Sequence, residues 1–174
     1  MADRAETIDD SGRRIGGHAW CEMRLFEILG RWSGTVREPR AQALLARQSR
    51  HHAWHAELWH DLLPALPHLP AADLVAPGEA ATRIVALLTA IDDPAGRAGA
   101  ADSAADAAAV AKLAALYEEA LPQLAATYAD HLDRTTVVTD GPTIRALRLV
   151  LADLADDGAA GADLLAALRS TAAG

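Results

Sequence analysis

The residues best suited to chemistry in this sequence are histidines concentrated in one short stretch. Residues 47–63 hold four of the chain's seven histidines, which are His51, His52, His55 and His60. Imidazole nitrogens are ligands for zinc, iron, manganese and copper, so a cluster of them indicates a metal site. No Gly or Pro interrupts the stretch, which predicts one continuous helix.

Two helical stripes place polar residues on faces that otherwise have the character of a core. At steps of three and four residues, one stripe carries Gln48, His51 and His55, and an upstream stripe carries His18 and Glu22. The other members are apolar, namely Leu44, Leu58 and Leu62 in the first stripe and Leu25, Leu29 and Trp32 in the second. Polar groups on a buried face are costly unless they are paired or bound to a metal, so this region requires a chemical explanation.

A turn-like segment at residues 33–39 separates the stripes and predicts that the two helices pack as an antiparallel hairpin. In the expected register Glu22 faces His51 and His18 faces His55. Three imidazoles and one carboxylate suit a single ion of Zn, Fe, Mn or Cu. The alternative is a metal-free network of buried polar groups, in which Glu22 pairs with a protonated histidine. His52 lies off the stripe and is predicted to lie on the outer face, at a subunit contact.

Composition and charge restrict the class of protein. The chain has 174 residues and a mass of 18.3 kDa, which fits one domain with a substantial core. Abundant Ala, Leu, Arg and Glu with few β-branched residues predict an all-α protein. A net charge of −8 without a basic stripe argues against nucleic-acid binding. Cys21 is the only cysteine, so no internal disulfide can form, and no apolar run approaches the length of a membrane span.

The order of helices is predicted from hydrophobic periodicity and from the placement of Pro and Gly. Residues 1–14 are polar, lack the apolar run of a signal peptide and are predicted to be a flexible tail of a cytoplasmic protein. One domain over residues 15–174 follows. Its predicted helices cover residues 15–32, 39–63, 79–91, 104–133, 142–158 and 159–169. Two long hairpins joined by a crossover with a short helix form the layout of a four-helix bundle.

The helix predicted over residues 104–133 contains two features that affect the core. Pro122 should kink it, because proline removes one backbone hydrogen bond. Tyr117 and Tyr128 lie on its predicted core face, where each hydroxyl needs a hydrogen-bond partner.

The layout and three short stretches resemble those of ferritin-like proteins. The stretches are residues 21–27 (CEMRLFE), 52–59 (HAWHAELW) and 140–147 (DGPTIRAL), and the resemblance in plan covers about residues 15–168. It implies a ferritin-like four-helix bundle. Members of this family commonly hold two iron or manganese ions, with one Glu from each of two helices and a Glu-x-x-His pair from each of the other two.

Only part of that family ligand set is present in this sequence. Glu22 matches the first-helix glutamate, while Gln48 and His51 match the first Glu-x-x-His pair with Gln in place of Glu. The remaining matches are altered or ambiguous, and they are Asp153 and Asp156 for the second pair and Glu118 or Glu119 for the third-helix glutamate. Two close divalent ions repel strongly unless about four carboxylates offset their charge. An ordinary di-iron site is therefore predicted to be absent.

Three functions are compatible with these residues. The first is a divergent ferritin-like protein that binds one transition-metal ion at Glu22, His51, His55 and His18. The second is a metal-dependent oxidoreductase or oxygenase that acts on a small molecule with the same ion. The third is a metal-free binding or protein-interaction module. Weaker candidate ligands are Gln48, Glu119, Asp153 and Asp156. A homo-oligomer, in the simplest case a dimer, or a partner protein is also expected.

Overall fold

A computed structural model of the chain describes residues 7–92, 102–138 and 140–172. Within these residues the regular elements are helical, no strand occurs, and Leu66 and Leu69 form one isolated bridge in a connecting segment. The elements are α1 (Ile8–Thr35), α2 (Pro39–Asp61), α3 (Ala71–Leu74), α4 (Glu79–Ile91), α5 (Asp102–Ala114), a π-helical segment (Ala115–Ala120), α6 (Leu121–Arg134) and α7 (Gly141–Ala172). The predicted all-α class is confirmed for this part of the chain. None of the helices described is long and apolar enough to cross a membrane.

Helix α1 begins seven residues before its predicted start. The side-chain oxygen of Thr7 accepts a hydrogen bond from the backbone N–H of Asp10 at 3.1 Å, and the Asp10 carboxylate accepts one from the Thr7 N–H at 3.3 Å. This reciprocal capping box satisfies donors that the first turn would otherwise leave unpaired. Residues 8–14 of the predicted tail are therefore helical, and residues 1–6 lie outside the described part.

Helix α2 begins at the predicted residue after a short loop. Glu38 caps it by accepting a hydrogen bond from the backbone N–H of Ala41 at 2.6 Å, and Pro39 occupies the first turn, where its missing N–H has no cost. Helix α4 covers the predicted range, Glu79–Ile91.

Helix α5, the π segment and α6 follow one another without a break and form one continuous helix. The segment ends two residues before Pro122, which has no N–H to donate to the preceding turn. Immediately before Pro122 the winding is π-helical, and the kink predicted at this residue stays a prediction. Both tyrosines on the predicted core face are buried, with Tyr117 7% exposed and Tyr128 0% exposed.

The two helices predicted over residues 142–158 and 159–169 are wrong, because α7 is one helix of 32 residues. Gly158 and Gly161 weaken helix propensity by about 1 kcal/mol each, but tertiary packing overrides that preference. A Cβ at Gly161 would lie 2.1 Å from the Tyr117 ring. The missing side chain lets this ring pack directly on the α7 backbone.

Side-chain contacts fix the relative directions of the long helices. Helix α1 packs along α2 as an antiparallel hairpin, as predicted, and α4 packs against α1 and α6. His18 bonds His131, while Glu22, one turn further along α1, bonds Tyr128, which precedes His131 in α6. Helices α1 and α6 therefore run antiparallel, and the predicted stripe on α1 is buried over its whole length.

Candidate metal centre

Glu22 lies at the middle of a buried polar cluster formed by α1, α2 and α6. Its side chain is 0% exposed. Its Oε2 lies 2.5 Å from Nδ1 of His52, and its Oε1 accepts a hydrogen bond from the Tyr128 hydroxyl. Nδ1 of His55 lies 3.6 Å from the same Oε1. A carboxylate inside a protein is tolerated only with donors or positive charges of this kind around it.

The two histidines reach Glu22 because they lie on the edge of α2 that packs against α1. His52 and His55 are three residues apart and both are 1% exposed. They continue a stripe at steps of three and four residues through Leu45, Gln48 and Trp59, all fully buried. The large apolar members of this stripe pack in the core and thereby set the direction of the imidazoles.

His55 stands between two carboxylates. Its Nε2 lies 3.0 Å from Oδ2 of Asp153 on α7, and because a carboxylate only accepts, this nitrogen donates and carries a proton. Its Nδ1 is buried, has no hydrogen-bond partner among the described residues and faces Glu22 at 3.6 Å. A buried nitrogen without a partner costs free energy. A positive charge at this position, either a proton on Nδ1 or a metal ion, would satisfy both Nδ1 and the Glu22 carboxylate.

The electrostatics of the cluster agree with that requirement. Burial would raise the pKa of Glu22, but the charge and hydrogen bond of His52 and the proximity of His55 lower it well below its usual range. Burial would lower the pKa of His55, but the carboxylates of Glu22 and Asp153 raise it. Burial and the Glu22 charge raise the pKa of Tyr128, so its hydroxyl stays protonated and donates a hydrogen bond to the carboxylate. The cluster thus holds an ionised Glu22 that attracts cations.

Glu22, His52 and His55 can each offer one ligand atom, and these atoms all lie within 4.8 Å of one another. Ligands about 2.1 Å from a tetrahedral ion are about 3.4 Å apart. The 3.6 Å between Glu22 and Nδ1 of His55 fits that spacing. The 2.5 Å between Glu22 and His52 is a hydrogen bond, and it would have to open by about 1 Å to admit an ion.

The predicted pairing of Glu22 with His51 is wrong. His51 Nδ1 lies 2.8 Å from Asp157 of α7, and its side chain is 38% exposed. The prediction that His52 lies on the outer face is also wrong, since it is buried against Glu22. The reason is that α2 packs on two neighbours. The edge facing α7 carries His51, and the edge facing α1 carries Ser49 and His52, with Ser49 bonded to a carbonyl of α1.

The predicted pairing of His18 with His55 is wrong as well. His18 Nε2 lies 2.9 Å from Nδ1 of His131 on α6. Burial and the nearby His131 lower the pKa of His18 to about 3, and burial and the charge of Arg14 lower that of His131 to about 4. Both rings are therefore neutral at pH 7, and one donates a hydrogen bond to the other.

A second buried polar cluster lies one turn away between α2, α7 and the π segment. Asp157 is 2% exposed and lies 3.2 Å from the guanidinium of Arg47 as well as beside His51. The Gln48 amide donates to the backbone carbonyl of Asp157 at 3.0 Å, and the Tyr117 hydroxyl donates to Gln48 Oε1 at 2.7 Å. The polar atoms of Gln48 are therefore bonded within this cluster.

The weaker candidate ligands fall in different places. Asp153 contacts His55, whereas Glu119 and Asp156 are exposed. Glu118, the other candidate for the third-helix glutamate, pairs with Arg169 at the surface. Metal ligation by His18, His51, Gln48, Glu119, Asp153 and Asp156 stays a prediction.

The sequence missed His52 as a member of the cluster around Glu22, and it missed the pairing of His18 with His131. His52 shares its helical stripe with Leu45 and Trp59, and these two large apolar residues are the signal that could have identified it. The pairing of His131 with His18 had no such signal, because the two residues are 113 positions apart and come together only when α6 packs beside α1.

Comparisons with known proteins do not identify this chain. No protein-family model matches it, and neither the curated proteins nor the solved structures give a significant match. The ferritin-like resemblance thus rests on the plan of the helices and on three short stretches. The function has to be inferred from the buried cluster itself.

Proposed function

We propose that this chain binds a single transition-metal ion, with Glu22, His52 and His55 as ligands. The observation that carries the proposal is the buried Nδ1 of His55, which has no hydrogen-bond partner in the described part of the chain and faces an ionised carboxylate at 3.6 Å. A metal ion would satisfy this nitrogen and would also replace the proton between Glu22 and His52.

The charges around the cluster support one divalent ion rather than two. Glu22 is the one carboxylate among the three proposed ligands, and Asp153 is a second carboxylate, hydrogen-bonded to His55. Two negative charges balance one divalent ion. A second ion a few ångströms away would lack compensating charge in a low-dielectric interior.

The helix directions support a ferritin-like bundle as the framework of this site. Helix α1 is antiparallel to α2 and to α6. His51 bonds Asp157 and His55 bonds Asp153, so α2 and α7 are also antiparallel. Helices α2 and α5–α6 therefore run in the same direction, and a long crossover must join the end of one to the start of the other. One long crossover between two helical hairpins is the ferritin-like connection.

An oxygenase is the second candidate, because two histidines and one carboxylate are the ligand set of mononuclear non-haem iron oxygenases. Such an enzyme must admit a substrate to its ion. A cleft of about 150 Å³ between α1, α4 and α6 is lined by His18 and Cys21, but none of the three ligands lines it. With the ligands 0–1% exposed, the site is better suited to holding an ion than to turning over a substrate.

The proposal is tested by titrating tag-free protein, stripped with a chelator, with Zn²⁺, Co²⁺, Mn²⁺ or Fe²⁺ in a calorimeter. One equivalent of ion should bind, and the substitutions His52→Ala and His55→Ala should each abolish specific binding. His51→Ala is the matched control, since this residue lies on the same helix but contacts Asp157. It should leave the stoichiometry unchanged.

Other results would support other functions. Two equivalents of iron with the spectrum of an oxo-bridged pair would contradict the single-ion proposal. Dioxygen consumption by the iron-loaded protein would favour the oxygenase. No specific binding of any of the four ions would leave the metal-free interaction module as the remaining candidate.

A further inference from the structure

We infer that Asp153 is a positioning residue that selects Nδ1 of His55 as the metal-binding atom. The inference rests on the proposed function and adds a residue from the second helical hairpin to a site whose three ligands all lie on the first. Asp153 itself is not a member of the ligand group, because the imidazole ring of His55 lies between it and Glu22.

The hydrogen bond from His55 to Asp153 fixes which nitrogen is available. With Nε2–H donated to Oδ2 of Asp153 at 3.0 Å, the lone pair of the neutral ring is on Nδ1, the atom that faces Glu22. Ligand histidines commonly donate their other N–H to a carboxylate in this way, which fixes the tautomer and makes the ligand more basic.

Among the neighbours of the His55 ring, Asp153 is the residue that fixes the tautomer, because it bonds Nε2. The rings of Trp54, His51 and His52 have their centroids 5.5, 6.4 and 6.1 Å from that of His55, so they restrict the tilt of the imidazole. Within the described part of the chain, none of these three rings forms a hydrogen bond with Nε2 of His55. Asp157, one turn further along α7, is bonded to His51 and Arg47 and does not compete for Nε2.

Asp153 has a second effect, which is its charge. Its side chain is 33% exposed, so it places a negative charge between solvent and the buried ligands. Orientation and charge can be separated experimentally. Asn at this position keeps an oxygen that accepts the Nε2–H bond but removes the charge, whereas Ala removes both.

The test is a Co²⁺ titration followed by visible absorption, which reports affinity and coordination geometry together. Wild type is compared with Asp153→Ala, Asp153→Asn and the control Asp156→Ala, which removes an exposed carboxylate three residues away on the same helix. We expect Asp153→Ala to weaken binding about 10–100-fold and to change the absorption bands. Asp153→Asn should lose less affinity and keep the wild-type bands, and Asp156→Ala should match wild type.

Each outcome has a definite meaning. If Asp153→Ala binds Co²⁺ within twofold of wild type and with the same bands, the positioning role is refuted and the proposed metal site stands. If wild type binds no Co²⁺, the proposed function and this inference both fail. If Asp156→Ala loses as much affinity as Asp153→Ala, a general charge effect of α7 replaces positioning. Circular dichroism checks folding, and if Asp153→Ala is unfolded, Asp153→Leu takes its place, because Leu fills the same space without an acceptor for the Nε2–H bond.

Discussion

Replacing Gly161 with Ala should destabilise the protein, although Ala is the better helix former. The new Cβ would lie 2.1 Å from Cε1 and 2.3 Å from Cδ1 and Cζ of Tyr117. Carbon atoms in ordinary contact are about 3.5–4.0 Å apart, so the ring or α7 must move by more than 1 Å. The ring is not free to move, because the Tyr117 hydroxyl donates to buried Gln48 at 2.7 Å.

The expected change in the free energy of unfolding combines one gain with two costs. Gly→Ala in a helix interior gains about 1 kcal/mol of helix propensity. Overpacking in a core costs about 1–3 kcal/mol, and breaking the Tyr117–Gln48 hydrogen bond costs about 1 kcal/mol more. Gly161→Ala should therefore lower the free energy of unfolding by about 1–3 kcal/mol. At Gly158, in the same helix, an added Cβ would lie more than 4 Å from the other described parts of the chain, apart from its own neighbours and the nearby helix backbone. Gly158→Ala should raise that free energy by about 0.5–1 kcal/mol.

Urea unfolding followed by circular dichroism measures both variants. A Gly161→Ala protein that is stabilised as much as Gly158→Ala would refute the packing of Tyr117 on α7. A double-mutant cycle gives a further check, because removing the ring should remove the clash. In a Tyr117→Ala background, Gly161→Ala should become neutral or stabilising.

Three other predictions follow from the structure. Burial lowers the pKa of His131 to about 4, whereas the unfolded chain protonates this ring near pH 6.5. The contribution of the neutral ring to stability is therefore complete above about pH 7.5 and about 1.4 kcal/mol smaller at about pH 5.5. In urea titrations, the free energy of unfolding of His131→Gln should fall by that much less over this pH range. Gly16→Ala should cost about 3 kcal/mol in thermal melts, because its Cβ would lie 2.0 Å from the backbone oxygen of Leu74, and an unchanged melting temperature would contradict the close packing of α1 on α3. Asp92→Asn should cost about 2 kcal/mol at pH 7, because Lys112 is 3% exposed and loses the negative charge that lies 3.0 Å from its Nζ. Burial would raise the pKa of Asp92, but the bond and charge of Lys112 and the bond of Arg31 lower it, so this stability is fully present above about pH 4 and is lost as the pH falls through the lowered pKa. The difference between the variants should shrink over that range.

The helical class and most helix positions could be predicted from the sequence because their causes are local. Pro39 and the apolar periodicity of residues 79–91 identified the starts of α2 and α4, and the stripe from His18 to Trp32 is buried as predicted. The sequence alone also identified Glu22 and His55 as polar residues inside a core, since their spacing places them on otherwise apolar faces. It failed at the start of α1 and at Gly158, where a cap and tertiary packing outweigh composition.

The composition of the candidate site was decided only by tertiary structure. His51 and His52 are adjacent in α2, and periodicity allows either of them to face the interior. Which of them contacts Glu22 depends on which side of α2 packs on α1 and which side packs on α7. Periodicity defines a face only to within one residue, because neighbouring positions on a helix differ by about 100° while a core-facing stripe is at least that wide. Contacts such as His55 with Asp153, 98 positions apart, exist only after the second hairpin has packed on the first.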